Sequence, residues 1–314
     1  MPRQRLDPGS ARRTLQLALG GAWLLDAALQ YQPFMFGRGF ATDVIAPAAE
    51  GNPAPISHSV LWGAHVMLAH PVLWNGLFAS AQLALAVGLC LRRTVEPALA
   101  ASVLWSLGVW WFGEGLGGVL AGDATPLTGA PGAVLLYALL AVLAWPSSRS
   151  GSSLASSSVL GRGALAAWVA LWGSELYLAL PRGNDSAARL RDSFAGLADG
   201  EPGWLARLDG WAAGGAADNA TIVAVALAIL LALTLLAVFL PAPLARPLLG
   251  LSLVLSGLIW VAAQNFGGIL TGQATDPDTG PLLMLVVLAY RPFGGASYVR
   301  TRRPWPIAAA VRQS

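Results

Sequence analysis

Six stretches of the chain are long apolar runs with few interruptions: Thr14–Tyr31, Val72–Leu91, Val95–Phe112, Gly163–Leu180, Ala220–Leu240 and Leu248–Gln264. A helix needs about 20 apolar residues to cross a bilayer, and these runs meet or approach that length. Two further runs, Gly132–Trp145 and Pro281–Tyr290, are shorter. Runs of that size are often re-entrant or interfacial, so charge must decide how they are used. Cytoplasmic flanks are rich in basic residues. If all eight runs span and the N-terminus is inside, only Arg38, Arg182, Arg189, Arg191 and Arg207 of the 19 basic residues fall outside. If the two short runs do not span, Arg149 and Arg162 move outside and the acid-rich 185–218 stretch moves inside. The pattern therefore predicts an all-α polytopic membrane protein with eight transmembrane helices and both termini in the cytoplasm.

Composition agrees. Of the 314 residues, 55% are hydrophobic and only 11% charged, against about 25% in a soluble domain. Every basic residue is Arg. A net charge of +3 would suit a nucleic-acid partner, but the Arg positions follow membrane topology instead, so no nucleic acid is expected. The partners expected from this class are membrane lipids. The Arg-, Ala- and Gly-rich composition suggests a bacterial cytoplasmic (inner) membrane. The N-terminal Arg residues before an apolar run mimic a signal peptide. Asp26 inside that run, and the lack of a small-x-small cleavage site, favour a retained first span. One cysteine, Cys90, excludes an intramolecular disulfide and a CxxC pair.

The chain contains an internal repeat. Residues Trp110–Gly122 align with Trp260–Gly272 through a shared Gly-Gly-aliphatic-Leu core, and the match runs on through Ala124-Thr125 and Ala274-Thr275. Trp23 and Asp26 align with Trp172 and Glu175, and Asn75 with Asn219. This predicts two parallel four-helix modules, 1–146 and 163–293. A flexible cytoplasmic linker of Ser-rich sequence, 147–162, would join them, and a basic tail, 294–314, would follow. Even span number makes the duplication parallel; inverted repeats mark many alternating-access transporters. Extracytoplasmic amphipathic helices are expected in Ile56–Ala69, with Leu61, Trp62, Val66 and Leu68, and in Ala187–Ala198, with Leu190, Phe194 and Leu197. Trp204, Leu205, Leu208 and Trp211 continue an apolar face.

Ionisable groups inside spans are costly and mark sites by default. Asp26 and Glu175 occupy equivalent positions, as a proton site, a polar lid, a cation ligand, or carboxylates bonded near the interface. Glu114 opens the first Gly-rich segment; its counterpart is Gln264, followed by Asn265. Glu114, Asp123 and Asp26 are candidates for one acidic pocket. The Gly-rich segments lack the spacing of a phosphate loop. Their glycines suit close helix approach or a helix break, and Pro131 and Pro281 suit the first turn of the short runs. All three histidines, His58, His65 and His70, lie in one segment with Met67. His with Met suits copper, but the spacing does not put all three on one helical face, so they are weak metal candidates and no metal is assigned. Most of the 13 Trp residues lie near run ends, as an aromatic belt does. Trp110 and Trp111 are the alternative, a stacking site for a planar ligand.

Each half resembles the DoxX/DoxD-like four-helix membrane family. The resemblance rests on the first run Leu17–Gln30 with its carboxylate, the exit Tyr31-Gln32-Pro33-Phe34, the amphipathic stretch, the run Asn75–Leu91 followed by Arg92-Arg93-Thr94, and the Gly-rich segment. It covers nearly the whole chain as two fused copies, a departure from the usual single unit. Members are associated with membrane redox systems, including a small subunit of a thiosulfate:quinone oxidoreductase. The resemblance implies a membrane subunit near the quinone pool, with quinone as the cofactor and a separate redox partner protein. Asp26, Glu114 and Glu175 would then manage protons, and Trp110, Trp111, Gln264 and Asn265 would border the ligand. Two other classes stand beside it: a transporter for a small solute or ion, and an envelope assembly factor. Whether the chain is an enzyme is left open by its sequence.

Overall fold

The computed structural model describes residues 8–122, 124–180 and 202–293; among them there are helices and turns and no strand. Asp123, the 187–198 stretch and the basic tail lie outside the described residues. Every apolar run is helical. In chain order the helices are α1 (Pro8–Gln30), α2 (Ala54–Ala69), α3 (Pro71–Cys90), α4 (Val95–Phe112), α5 (Ala133–Ala144), α6 (Gly163–Ala179), α7 (Gly203–Asp218), α8 (Ala220–Ala237), α9 (Ala242–Ala262) and α10 (Thr279–Tyr290).

Among the described residues four helices are long and apolar enough to cross a membrane: α3, α4, α8, and α9 with its continuation to Thr271. Their outer faces expose Leu77, Leu104, Ile222, Ile229 and Leu258. So much exposed aliphatic surface suits lipid rather than water. The structure thus gives an all-helical membrane protein. Helix α1 carries Arg12, Arg13 and Asp26, and α6 has 17 residues. Helices α5 and α10 have 12 residues each, about 18 Å of rise, against a hydrocarbon core of about 30 Å.

These two short helices are the centre of the molecule. They pack on each other; α5 also contacts α1 and α4, and α10 contacts α9. Leu136, Tyr137, Leu140 and Leu143 of α5 and Leu282, Val286 and Tyr290 of α10 join one core with Trp23, Trp168 and Trp172. A helix apolar on all sides has no face to offer water, so it goes inside.

The amphipathic stretch in the first half is helix α2, but its buried stripe is Ile56, Val60, Ala64 and Met67. Leu61 and Trp62, two of the apolar residues of that stretch, are exposed. The reason is that α2 packs against the turns of 40–49, which select the face that looks inward.

The 147–162 connection also differs from its composition, which predicts flexibility. Ser153, Ser157 and Ser158 are buried, and their region docks through Ala155 N–H to Ala289 O (2.8 Å) and Phe293 N–H to Ser152 O (2.6 Å). Serine hydroxyls close local turns here: Ser157 donates to Leu154 O at 3.0 Å. Arg12 clamps the segment, donating to Ser147 O (2.7 Å) and Ser157 O (3.0 Å). Hydrogen bonds from charged groups contribute about 1.5–3 kcal/mol. We therefore expect Arg12→Met to lower the thermal midpoint by several degrees and to open 147–162 to protease. An unchanged midpoint and cleavage pattern would remove Arg12 from this role.

Candidate functional site

Helix α4 ends at Gly113, and the chain then reverses sharply. Leu116 (φ 61°, ψ 31°) and Gly117 (φ 64°, ψ 27°) both take left-handed backbone. The segment after α9 does the same at Phe266 (φ 58°, ψ 28°) and Gly267 (φ 73°, ψ 25°). A Trp pins each reversal: Trp110 Nε1 donates to Pro131 O at 2.7 Å, and Trp260 Nε1 to Pro277 O at 2.8 Å. Each reversal also aims one side chain at the start of a short helix. Glu114 Oε1 accepts from Val134 N–H at 3.3 Å on α5. Gln264 Oε1 accepts from Gly280 N–H at 3.1 Å on α10, and its Nε2 donates to Thr279 Oγ1 at 2.7 Å. Helix starts have unpaired N–H groups, and these side chains satisfy them.

The two positions then part company. Glu114 lies at the edge of a cavity of about 830 Å3, and Gln264 does not. The cavity wall is aromatic and apolar, with Phe40, Trp62, Trp74, Phe78, Trp105 and Phe112. One end is acidic: Asp26, Glu114, Asp276 and Asp278 all line it. Gln30 and Gln82 add amides, and none of the lining residues is basic.

Each acid is held differently. Asp26, on α1, is buried and accepts a hydrogen bond from Tyr137 of α5 at 2.7 Å. Glu114 Oε2 is shielded and has no hydrogen-bond partner. It needs the absence of a side chain at Gly132 (φ 106°), where a Cβ would stand 2.1 Å from it. Burial pushes the Glu114 carboxyl well above its ordinary range; Asp276 and, more weakly, Asp278 add to this, and the Val134 N–H opposes it. Asp276 is pushed up by burial, against bonds from the Thr275 hydroxyl and the Asp278 N–H. Asp278 is pushed up to about 7 by burial and by the charge of Asp276, against its bonds from Thr279. It reaches over the first half's turn, within 2.6 Å of where a Cβ of Gly129 would be. Crowding and desolvation both disfavour the charged form of the loop acids, and no basic residue lines the cavity to offset them.

Of the residues singled out from sequence, Asp26 and Glu114 come together here. Glu175 is buried with both carboxyl oxygens lacking a partner, and it lies away from this cavity. Trp110 and Trp111 do not border it: the indole of Trp110 is consumed by Pro131, and that of Trp111 by Ser59 Oγ at 2.9 Å. Trp62, Trp74 and Trp105 stand in their place. Gln264 and Asn265 are likewise not ligand groups of this cavity; Asn265 Nδ2 donates to Asp209 Oδ2 of α7 at 2.7 Å. His58, His65 and His70 are exposed, whereas Met67 is buried with Met35 and Phe40, so the four do not converge. Among the described residues no group of three or more His, Cys, Asp or Glu is placed to hold a metal. Sequence reasoning missed Gln30, Gln82, Tyr137, Asp276 and Asp278. One signal was available: between Thr275 and Thr279 the second Gly-rich loop carries Asp276 and Asp278, where the first, between Thr125 and Thr128, has Pro126 and Leu127.

No protein-family model, curated protein or solved structure matches this chain.

Proposed function

We propose that the chain is a membrane subunit that binds a quinol or quinone in this cavity and handles its protons, with a separate redox protein carrying the electrons. The observation that carries this reading is an aromatic cavity ending on four carboxyl groups. The polar atoms suit such a ring. The Trp105 indole N–H is buried without a partner and can donate to a ring carbonyl. Glu114 Oε2, Gln30 Oε1 and Gln82 Oε1 are shielded acceptors that suit ring hydroxyls. Phe78 and Trp105, edge to face with centroids 5.7 Å apart, offer an apolar slot.

A quinol supplies two protons and two electrons when oxidised. Glu114 and Asp26 are placed to take the protons, and Asp278 and Asp276 to relay them. The electrons pass to the partner. The resemblance to DoxX/DoxD-like proteins supports the same reading. In this reading the short helices complete two four-helix modules of an eight-span protein in a bacterial inner membrane. The Gly-rich reversals face outward, and both termini are cytoplasmic.

One observation favours a second reading. A cavity with four carboxyl groups and no basic residue also suits a small organic cation held over aromatic faces, as in a transporter. Titration of the full chain in nanodiscs separates the two, read by quenching of the cavity tryptophans. We expect saturable quenching by a hydroquinone and none by a tetraalkylammonium ion. Saturation by the cation alone would replace the redox reading with the transport one.

A further inference from the structure

At two edges the residues that line the cavity are also exposed: Trp62 with Phe112, and Leu104. One lies between α2 and α4. There Trp62 and Phe112 sit with ring centroids 6.2 Å apart, and Trp111 donates to Ser59 across the same gap. Those contacts draw the two helices together. The other edge lies between the middles of α3 and α4. Leu104 lines the cavity there and is 73% exposed, on a helix apolar enough to lie in lipid. One helical turn on, Gly108 also lines the cavity, and a Cβ built on it meets nothing within 4 Å. Across the gap, Gln82 of α3 keeps its Oε1 shielded and without a partner, in the middle of a span. A buried, unpartnered polar group inside a membrane is costly.

We infer that the gap between α3 and α4 at Gln82, Leu104 and Gly108 is a lateral portal to the bilayer. Through it a membrane-dissolved ligand places its polar ring at the acidic end and leaves its tail in lipid. The inference rests on the quinol reading and adds the ligand class, a long-tailed lipid-soluble quinol rather than a water-soluble one, and its route. The tail accounts for a wall left open on the lipid side. The ring accounts for the unpartnered polar atoms further in.

The test uses the full chain in nanodiscs and a hydroquinone whose long alkyl tail carries a diazirine on its ring-proximal carbons. After illumination, peptide mapping is expected to place the label on Phe78–Leu83 of α3 and Leu104–Gly108 of α4, displaced by excess untailed hydroquinone. Label on Trp62–Val66 of α2 would overturn the portal. A Cβ at Gly108 meets nothing within 4 Å, so Gly108→Trp can start its side chain into the portal. It should weaken the tailed compound about tenfold more than it weakens the untailed one. Unaltered binding of both, or loss of both, would overturn the portal while the wild-type protein still binds the ring. If the wild type binds neither compound, the quinol reading itself falls, and the portal with it.

Discussion

Glu114→Gln combined with Asp26→Asn is expected to lower quinol-linked turnover by about two to four orders of magnitude, the usual range for losing positioned acid–base groups. The loss is expected without misfolding, because the molecule already shows that Gln fits. At the equivalent position Gln264 accepts from a helix-start N–H and donates to Thr279. Gln at 114 keeps an acceptor for Val134 N–H, and Asn at 26 keeps one for the Tyr137 hydroxyl. What both variants remove is a group that can take a proton. Turnover is measured as quinol oxidation in membranes containing the variant, against membranes lacking the chain. Gln264→Leu is the control: it should cost stability and leave the rate per folded molecule unchanged, since Gln264 is away from the cavity. An unaltered rate in the double variant would end the proton-handling role.

The second large effect is on stability against pH. Asp278 is pushed from 3.8 up to about 7, first by burial and then by Asp276. The folded chain therefore holds this proton more tightly than the unfolded chain. The corresponding stability is fully present below about pH 4, drains as the pH climbs to about 7, and is gone above it. At 1.36 kcal/mol per pH unit the upper bound is about 4 kcal/mol. Glu114 and Asp276 are raised too and act in the same direction. The thermal midpoint in detergent is expected to fall steadily between pH 4 and 7 and then level off. Asp278→Asn should flatten much of that slope, because Asn keeps an acceptor for Thr279 N–H and has no proton to lose. An identical slope in Asp278→Asn would show that the cluster does not couple to folding.

Helix positions were legible because lipid-length apolar runs leave the backbone no alternative but to satisfy its own hydrogen bonds. The eight runs are helices, and the repeated Gly-rich segments are matching reversals of the chain. Asp26 and Glu114 were legible because a carboxyl in an apolar run is rare enough to stand out. Trp110 and Trp111 misled for the opposite reason. Proximity to Glu114 along the chain says nothing of which way an indole points, and the nearest carbonyls, at Pro131, and hydroxyl, at Ser59, claimed both. The serines of 147–162 read as flexible by composition, yet Arg12 and α10 supply partners that composition does not record.

Amino-acid order was sufficient for the class of protein, the helices and the two acids of the first half. It showed the other two only as acids of a loop, not as members of this site. Asp276 and Asp278 belong to a loop that is remote in sequence, and nothing local links them to Asp26. They reach the cavity because α5 and α10, apolar on every side, bury against each other at the centre. That packing lays the loop before α10 across the turn before α5, with Gly129 leaving room for the Asp278 carboxyl. Burial of two short helices, a non-local hydrophobic term, is thus what assembles four carboxyl groups into one site.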